Sequence, residues 1–293
     1  MQQFLRKVRL TAGSISLNPG GINPHDMKIA FNVSKGISGS ANTASIDIWN
    51  LNEGHRNALG KELDEVTLEA GYTPPTGGSN VGIIFKGQLR DVEHRREGPD
   101  IISSISCGDG DKAFRTATTS KAFPKNTPVK DVVEELYSQL AKQGISRGEW
   151  KFPDDIDEKK FVRPYAMCGG CTRELDRLGR GKGFYWSVQN GVMEIIPGDG
   201  FIGGVVPISA ATGMVEVPTI TDNGVKVRTL LNPEIRPNRR VKIISSVIEL
   251  GAEDGIYRVS QATYSGDNRD GDFVVTVHGE AVKGGKVDEG KKP

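Results

Sequence analysis

The sequence predicts a mainly β protein that carries an α+β insertion in its middle. Two stretches of alternating apolar and polar residues predict it, one in the first hundred or so residues and one after residue 201. Between them lies the clearest amphipathic helix of the chain. The 37 glycines among 293 residues fit the many tight connections that short strands require.

The first β region is assigned to residues 1–118. In residues 27–33 apolar side chains alternate with smaller or polar ones, which is the period of a half-buried strand. A short helix in NLNEGHRNALGK interrupts the strands, and EVTLEAGY resumes them. A long hairpin then turns at RREGPD. We expect antiparallel sheet that closes into a barrel or a sandwich.

Residues 119–200 predict a compact α+β domain. Thr127 can cap its main helix, Pro128 suits the first helical position and Gly144 suits the C′ position. A second helix is expected after Cys171 with Thr172 as its N-cap. Asn190-Gly191 predicts a two-residue type I′ hairpin between two strands. We expect Trp186 to anchor the core.

Strand patterns return in residues 201–282 and predict a second β domain. Its last hairpin has the layout of the earlier one: strand, charged tip, strand, and then a glycine beside an acid. Gly108-Asp109 holds that place in the first hairpin and Gly279-Glu280 in the second. We interpret this as an internal duplication about 170 residues apart. Residues 283–293 have the composition of a flexible tail.

Composition and charge exclude several classes of function. Lys and Arg number 38 against 37 Asp and Glu, so no excess of positive charge favours binding to nucleic acid. No apolar run reaches the ~20 residues of a membrane helix. The N-terminal residues lack the apolar core of a signal peptide, which predicts a protein made and assembled in the cytoplasm.

Cys168 and Cys171 form a C-x-x-C spacing, which raises the question of a redox or metal role. A closed zinc site needs four ligands, and no second paired spacing of Cys or His is present to complete one. Cys171, Leu175 and Leu178 fall on one face of the expected helix, where cysteine acts as a small apolar residue. We therefore favour a structural role, with a metal or redox role as the alternative.

The usual catalytic motifs are absent from the sequence. GRGKGF, residues 179–184, precedes a strand, so we expect a tight turn with an exposed lysine there. The acidic residues at 154, 155, 157 and 158 lack the pattern of a calcium loop. Basic residues at 94–96 and 239–240 favour solvated edges or partner contacts. We predict no enzyme activity and no catalytic, cofactor-binding or metal-binding residues.

Several stretches of the chain resemble phage baseplate central hub proteins, the late control protein D-like tail hub family of contractile-tailed phages. The most specific is NGVKVRTLLNPEIRPNRRVKIIS, residues 223–245. ASIDIWNLNEGHRNAL, GIIFKGQLRDVE with SCGDGDKAF, and LDRLGRGKGFYWSVQNGVMEI agree with it in order and spacing. The match spans about residues 5–282. The Cys168/Cys171 pair departs from the family pattern.

The resemblance implies a structural virion protein of the tail baseplate. Its two β regions would be tail-tube-like barrels, and three chains would form a homotrimeric ring of six barrels. That ring would join the six-fold tail tube to a three-fold spike and line a DNA channel without specific binding. The implied partners are the spike, tail tube, tape measure and baseplate wedge proteins; no membrane contact and no cofactor are implied.

Three alternatives remain open at the level of sequence. A tail-tube or tube-initiator protein would form hexamers from single barrels, whereas the length and the duplication here favour two barrels per chain. A tail-associated cell-wall hydrolase would need a further segment with catalytic carboxylates or a metal triad. A metal or redox protein would use Cys168 and Cys171.

Overall fold

A computed structural model describes residues 5–17, 27–60, 64–73, 79–222, 224–247, 252–283 and 285–287. Strands hold 52% of the structure and helices 18%. The prediction of a mainly β protein is therefore confirmed. The proposed tail at 283–293 falls largely outside the described residues.

The helices and strands follow one another in an order that separates β, α+β and β regions. The α-helices are α1 (Glu53–Ala58), α2 (Asp111–Thr116), α3 (Val129–Ala141) and α4 (Cys171–Lys182). The strands before α3 are β1 (Leu5–Ala12), β2 (Ile15–Leu17), β3 (Ile29–Gly36), β4 (Thr43–Trp49), β5 (Glu65–Thr73), β6 (Gly82–Glu97), β7 (Asp100–Gly108) and β8 (Thr118–Phe123).

The remaining strands complete the α+β region and build the second β region. They are β9 (Ser146–Trp150), β10 (Tyr165–Gly170), β11 (Phe184–Gln189), β12 (Val192–Pro197), β13 (Val205–Ile208), β14 (Thr219–Thr221), β15 (Gly224–Leu230), β16 (Arg240–Ile243), β17 (Ile256–Asp267), β18 (Phe273–Lys283) and β19 (Lys286–Val287).

The two β regions share one continuous sheet, in the order β14-β15-β18-β17-β3-β4-β7-β6-β5-β1-β2. They join where β17 of the second region pairs antiparallel with β3 of the first, with Tyr264 opposite Val33. Among the described strands this path is open at both ends and no closed barrel forms. The structure thus shows sheet regions joined edge to edge where the sequence predicts separate barrels.

The strand order of the first β region is repeated in the second. The first region pairs its strands as β3-β4-β7-β6-β5-β1, and the second as β14-β15-β18-β17-β16-β13. Taken in chain order, β13 to β18 therefore correspond to β1 and β3 to β7. One difference is that β13 pairs with β16 in parallel, whereas β1 pairs with β5 antiparallel.

A β-bulge at matching positions strengthens this correspondence. The β6–β7 ladder shifts register between Leu89 and Asp91, and the β17–β18 ladder shifts between Val259 and Gln261. The bulged residues, at 90 and 260, lie 170 positions apart. Because a bulge sets the bend and twist of a strand at one point, its recurrence points to one β unit built twice. This agrees with the duplication predicted from the sequence.

The buried side chains form two hydrophobic clusters. The first joins side chains from both β regions, from Val8 to Val277. The second lies between Ala113 and Ile195 and centres on α3, α4 and the β11–β12 hairpin. Trp186 is 3% exposed within this second cluster, as expected for a core anchor. The domain limits 1–118, 119–200 and 201–282 stay a prediction.

The local geometry of the α+β region corrects three details of the sequence analysis. Helix α3 begins one residue later than expected, with Pro128 and not Thr127 at its N-cap. Helix α4 begins at Cys171 with Gly170 at the N-cap, so Thr172 is already helical and caps nothing. Residues 179–182 belong to the end of α4 instead of a turn. Gly183 ends the helix in the left-handed conformation.

The hairpin between β11 and β12 has the predicted turn. Asn190 and Gly191 have φ angles of 57° and 77°. Positive φ at both central residues is the requirement of a type I′ turn, which asparagine and glycine meet at low cost. This turn projects towards the sheet, where it meets the end of β7.

Candidate functional site

The solvent face of the continuous sheet, opposite its hydrophobic core, is lined by small neutral polar side chains. We call it the hydroxyl face. Its members alternate along β3, β4, β7, β17 and β18 with buried core residues. They are Asn32, Ser34, Thr43, Ser45, Ser106, Thr263, Ser265 and Thr276.

Strand register aligns these residues in two rows that cross the junction of the two β regions. One row runs from Ser265 through Asn32 and Ser45 to Ser106. The other row runs Thr276, Thr263, Ser34 and Thr43. The duplicated unit therefore presents the same kind of surface on both sides of the junction.

Charged side chains lie at the margin of the hydroxyl face, among them the exposed Lys226 and the partly exposed Arg228 on β15. Arg228 on β15 forms ion pairs with Glu216, at 2.7 Å, and with Asp272. Asp47 on β4 accepts a hydrogen bond from the hydroxyl of Ser104. Such pairing lowers the local potential that would otherwise attract a polyanion.

A buried polar cluster docks the α+β region onto the sheet at the β11–β12 turn. Asp109, fully buried just after β7, accepts hydrogen bonds from the backbone N–H groups of Asn190 (2.6 Å) and Gly191 (2.8 Å). Asn42 donates to the Asp109 carboxylate (3.3 Å) and to the Val188 carbonyl (2.7 Å). The cluster thus ties β7 and the residues before β4 to one hairpin.

Lys35 supplies the positive charge of this cluster. Its side chain is 1% exposed and donates from Nζ to the Asn190 side-chain carbonyl. Burial lowers the pKa of Lys35 to about 8, and the nearby Asp109 charge partly opposes that fall. Burial raises the pKa of Asp109 to about 6, against the opposing effects of Lys35 and of the backbone donors at Gly191 and Asn190.

A second anchor holds the other end of the same hairpin. Arg258 on β17 is 2% exposed and donates to the carbonyls of Gly198 (2.7 Å) and Gly200 (2.8 Å), just beyond β12. Its guanidinium also pairs with Glu280 on β18, with Nε 2.9 Å from the carboxylate. Asp109 therefore holds the turn of the α+β hairpin directly, and Glu280 holds its other end through Arg258. Because Leu89 pairs with Cys107 as Val259 pairs with Gly279, the two glycine–acid dipeptides of the sequence lie one position out of register in the two copies.

Glu194 on β12 makes a third contact between the two regions. Its carboxylate accepts from the Asn238 side chain (2.7 Å) and from Arg239 (2.8 Å). Arg239 was predicted to lie at a solvated edge or a partner contact, and the structure instead places it in this internal ion pair. The hairpin is thus fixed at its turn, its middle and its end.

The structure separates the three cysteines. Cys168 lies exposed on β10, whereas Cys171 is buried in the α+β core and Cys107 in the sheet core. Burial raises the pKa of Cys171 to about 11 and that of Cys107 to about 12. A buried thiol with a raised pKa is a poor nucleophile and metal ligand. Cys171, Leu175 and Leu178 line one buried face of α4, as predicted.

The other charged segments singled out in the sequence form local contacts. In the acidic run, Asp157 pairs with Lys130 and Asp155 with Lys159 (2.8 Å). At the tip of the first hairpin, His94 contacts Ser103 and Arg95 donates to Ser104. Within the part of the chain that the structure describes, no group of three or more His, Cys, Asp or Glu side chains could hold a metal ion.

The comparison with protein families decides the class of this fold. A family model described as Baseplate hub gp41 matches residues 8–279. The chain belongs to the baseplate hub gp41 family. Members of this family are structural proteins of the phage tail baseplate, so the protein is assigned to the virion tail. No curated protein matches the chain.

Solved structures of tail proteins share the fold of this baseplate hub protein. The 43 kDa tail protein of prophage MuSo2 from Shewanella oneidensis matches with a TM-score of 0.66 and 10% identity, over 97% of this chain and 99% of that one. A tail protein from Neisseria meningitidis MC58 matches with a TM-score of 0.63 and 9% identity, over 95% and 97% of the two chains.

A component of a bacterial secretion machine also shares the fold. The c3393 protein of E. coli is described as part of the type VI secretion system and as similar in structure to the T4 tail proteins gp27 and gp5. It matches with a TM-score of 0.63 and 10% identity, over 97% of this chain and 79% of that one. At such identities the similarity concerns the fold alone. None of the described helices is long and apolar enough to cross a bilayer.

The sequence could have pointed to Asp109 and Glu280 but not to what they bind. Both were singled out as acids beside a glycine in the repeated hairpins, and no role was assigned to them. Asp109 binds the backbone N–H groups of Asn190 and Gly191, 81 and 82 residues further along the chain. Glu280 binds Arg258 on the neighbouring strand, and Arg258 in turn donates to the carbonyls of Gly198 and Gly200. Lys35 carried no signal beyond its position in an amphipathic strand.

Proposed function

We propose that this protein is the central hub of the baseplate and acts as a homotrimer whose six β regions form a ring. The observation that carries the proposal is the duplicated β unit, whose two copies join edge to edge through β3 and β17. Because each chain carries two equivalent β units, three chains would form a ring of six such units. One such ring can meet a six-fold tail tube on one side and a three-fold spike on the other.

The hydroxyl face is the surface that we assign to the lumen of this ring. It faces away from the hydrophobic core, and serine, threonine and asparagine dominate it. Phosphate binding is driven mainly by Lys and Arg, which release counterions from the nucleic acid. A mostly neutral lining, with Arg228 at its margin paired to Glu216 and Asp272, would let DNA pass without holding it tightly.

The proposed partners follow from this placement of the ring in the baseplate. The ring would contact the tail tube and tape measure proteins above, the spike below and the baseplate wedge proteins around it. The E. coli protein, which is described as similar in structure to the T4 tail proteins gp27 and gp5, supports a position inside the tail assembly. The duplicated unit argues against a tube or tube-initiator protein built from a single barrel. We also propose that the protein has no enzyme activity and binds no metal or cofactor.

Native mass spectrometry of the purified, reduced protein tests the trimer, alone and after addition of the spike protein encoded with it. The expected result is a trimer without bound metal, or a monomer that becomes a trimer when the spike is added. A stable hexamer would favour the tube alternative. A monomer with one metal per chain, lost on Cys168→Ser and Cys171→Ser, would overturn the structural account of the cysteine pair.

A further inference from the structure

The two copies of the β unit differ in what covers their outer edges. In the first copy β3 is covered by β17, and Val33 is fully buried. In the second copy the corresponding strand is β14, which among the described strands pairs only with β15. In the first copy Ser34 pairs with Thr43, the first residue of β4, and in the second copy Thr221 pairs with Gly224, the first residue of β15. Ile220, one residue before Thr221, therefore corresponds to Val33, one residue before Ser34. Ile220 is 50% exposed.

The strands that would pair with these two edges, β17 and the outer part of β6, differ in the same way. On β17 the residues beyond the bulge, from Gln261 to Asp267, pair with β3, and Tyr264 is buried there. The corresponding stretch of β6, from Asp91 to Glu97, is paired on one side by β7, and the β5 ladder ends before it at Gln88. In this stretch Val92 is half-buried and the others are exposed.

The pairing of β3 with β17 therefore uses one edge of each copy and leaves the other edge of each copy for a further strand. Among the strands that the structure describes, β14 lacks the neighbour that β17 provides for β3, and residues 91–97 of β6 lack the neighbour that β3 provides for β17. Both segments lie at edges of the sheet, where unpaired backbone groups invite another strand. Ile220, directly opposite the buried Val225 in the β14–β15 ladder, leaves a half-exposed apolar side chain at the β14 edge.

We propose that β14 of one copy pairs antiparallel with residues 91–97 of β6 in a neighbouring copy, repeating between chains the junction that β3 and β17 make within one. This inference rests on the proposed ring of copies and names the strands that close it. Transferring the register of Val33 opposite Tyr264 places Ile220 opposite His94 of the neighbour. Thr221 then lies opposite Glu93 and Thr219 opposite Arg95.

The chemistry of the two edges suits a contact between copies that forms only on assembly. The pairing would cover the half-exposed side chain of Ile220. The charged side chains of Arg95 and Arg96 on β6 disfavour non-specific pairing at that edge in the separate chain, as charges on edge strands commonly do. The contact is heterologous, so it closes into a ring only when the rotation between copies fits.

Disulfide trapping tests the register directly. In a Cys168→Ser background, His94→Cys is combined with Ile220→Cys, because residues directly opposite in antiparallel strands have Cα atoms about 5 Å apart, within reach of a disulfide. The matched control combines Ile220→Cys with Glu97→Cys, about 10 Å further along the same strand. We expect oxidation to convert most of the first variant into a covalent trimer on a non-reducing gel. The control and the two single-cysteine variants should stay at the mass of one chain or form only dimers.

The outcome separates this inference from the proposed function. A trimer by native mass spectrometry without cross-linking of the first variant would overturn the strand pairing and leave the trimeric hub standing. A cross-linked ladder that continues beyond three chains would support the pairing and contradict the trimer. A monomer under all conditions, with no cross-link, would overturn both.

A second variant needs no disulfide. Ile220→Asp places a charge on a side chain that is already half exposed in one chain, so the fold should be retained. We expect it to reduce the trimer fraction at least tenfold at a fixed protein concentration. Val162→Asp, at a residue 78% exposed in the α+β region, is the control and should trimerise normally. Equal trimer fractions in the two variants would contradict the proposed edge contact.

Discussion

The carboxylate of Asp109 lies 2.6 Å from the backbone nitrogen of Asn190 and accepts its hydrogen bond. This contact joins the end of β7 to the turn of a hairpin 81 residues further along the chain. Asp109 also binds the next backbone N–H, that of Gly191. One buried side chain thereby satisfies two turn donors and positions the α+β region against the sheet.

Asp109→Ala should destabilise the protein strongly. The substitution leaves the two turn N–H groups without their side-chain acceptor in a buried site and removes the negative charge that acts most strongly on Lys35. The Asn42 amide loses one acceptor and keeps the Val188 carbonyl. Each unsatisfied buried group costs about 1–3 kcal/mol, so we expect a loss of roughly 3–5 kcal/mol in the free energy of unfolding. Urea denaturation measures it. A loss below 1 kcal/mol would contradict the role given to Asp109.

The sign of the pH dependence at Asp109 is opposite to that of most carboxyl groups. Its pKa rises from 3.8 to about 6 in the folded protein, so between these pH values the folded state binds more protons than the unfolded state. Stability from this group is therefore present below about pH 4 and is lost as the pH rises through about 6.

Comparison of the natural protein with Asp109→Asn isolates this effect. We expect the difference in unfolding free energy, natural minus variant, to fall as the pH rises from 4 to 6.5. The fall should reach about 3 kcal/mol at most, since one pKa unit corresponds to about 1.4 kcal/mol. Urea titrations at four pH values measure it. A difference that stays flat, or that grows with pH, would show that the Asp109 pKa is not raised.

The strands and helices were largely predictable from the sequence, but their joining was not. Alternation predicted β3, the Asn190-Gly191 pair predicted its turn, and the amphipathic pattern of the middle segment predicted α3. Edge pairing between β3 and β17 depends on backbone N–H and C=O groups that every strand has, so no residue pattern in the sequence predicts it. The N-cap at Thr172 failed because Gly170 and Cys171 already start the helix, where local propensity gives only one- or two-residue accuracy.

Glu280→Ala should be far more costly than loss of an exposed ion pair. It would leave the Arg258 guanidinium, 2% exposed, with only the carbonyls of Gly198 and Gly200 as partners. Breaking a buried pair typically costs about 3–5 kcal/mol; we expect the low end of that range because Glu280 itself is 30% exposed. Glu69→Ala is the control because its partner, Arg9, is 48% exposed and can turn to solvent, with less than about 1 kcal/mol expected.

The cysteines should differ sharply in reactivity. Cys168 is exposed, whereas burial raises the pKa values of Cys171 and Cys107 to about 11 and 12. Ellman's reagent should therefore label about one thiol per chain in the folded protein and three after unfolding in urea. Cys168→Ser should abolish the native signal without a change in stability. Fast labelling of two thiols in the folded protein would contradict the buried role of Cys171.

Positive charge on the hydroxyl face should slow the passage of DNA. Asn32→Lys and Ser106→Lys together place two lysines on exposed positions separated by Ser45 in one cross-strand row. In a ring of three chains they would add six charges to the proposed lumen, where each lysine near a phosphate favours binding by counterion release. Because both positions are exposed, the unfolding free energy should change by less than about 0.5 kcal/mol.

The functional readout is DNA ejection from phage particles assembled with the variant hub. We expect normal assembly and ejection that is at least several-fold slower, with the delay reduced as the salt concentration rises. Thr118→Lys with Ser120→Lys, on exposed positions of β8 in the α+β region, adds the same charge away from the sheet face and should eject at the normal rate. If both pairs of substitutions delay ejection equally, the hydroxyl face does not line the channel.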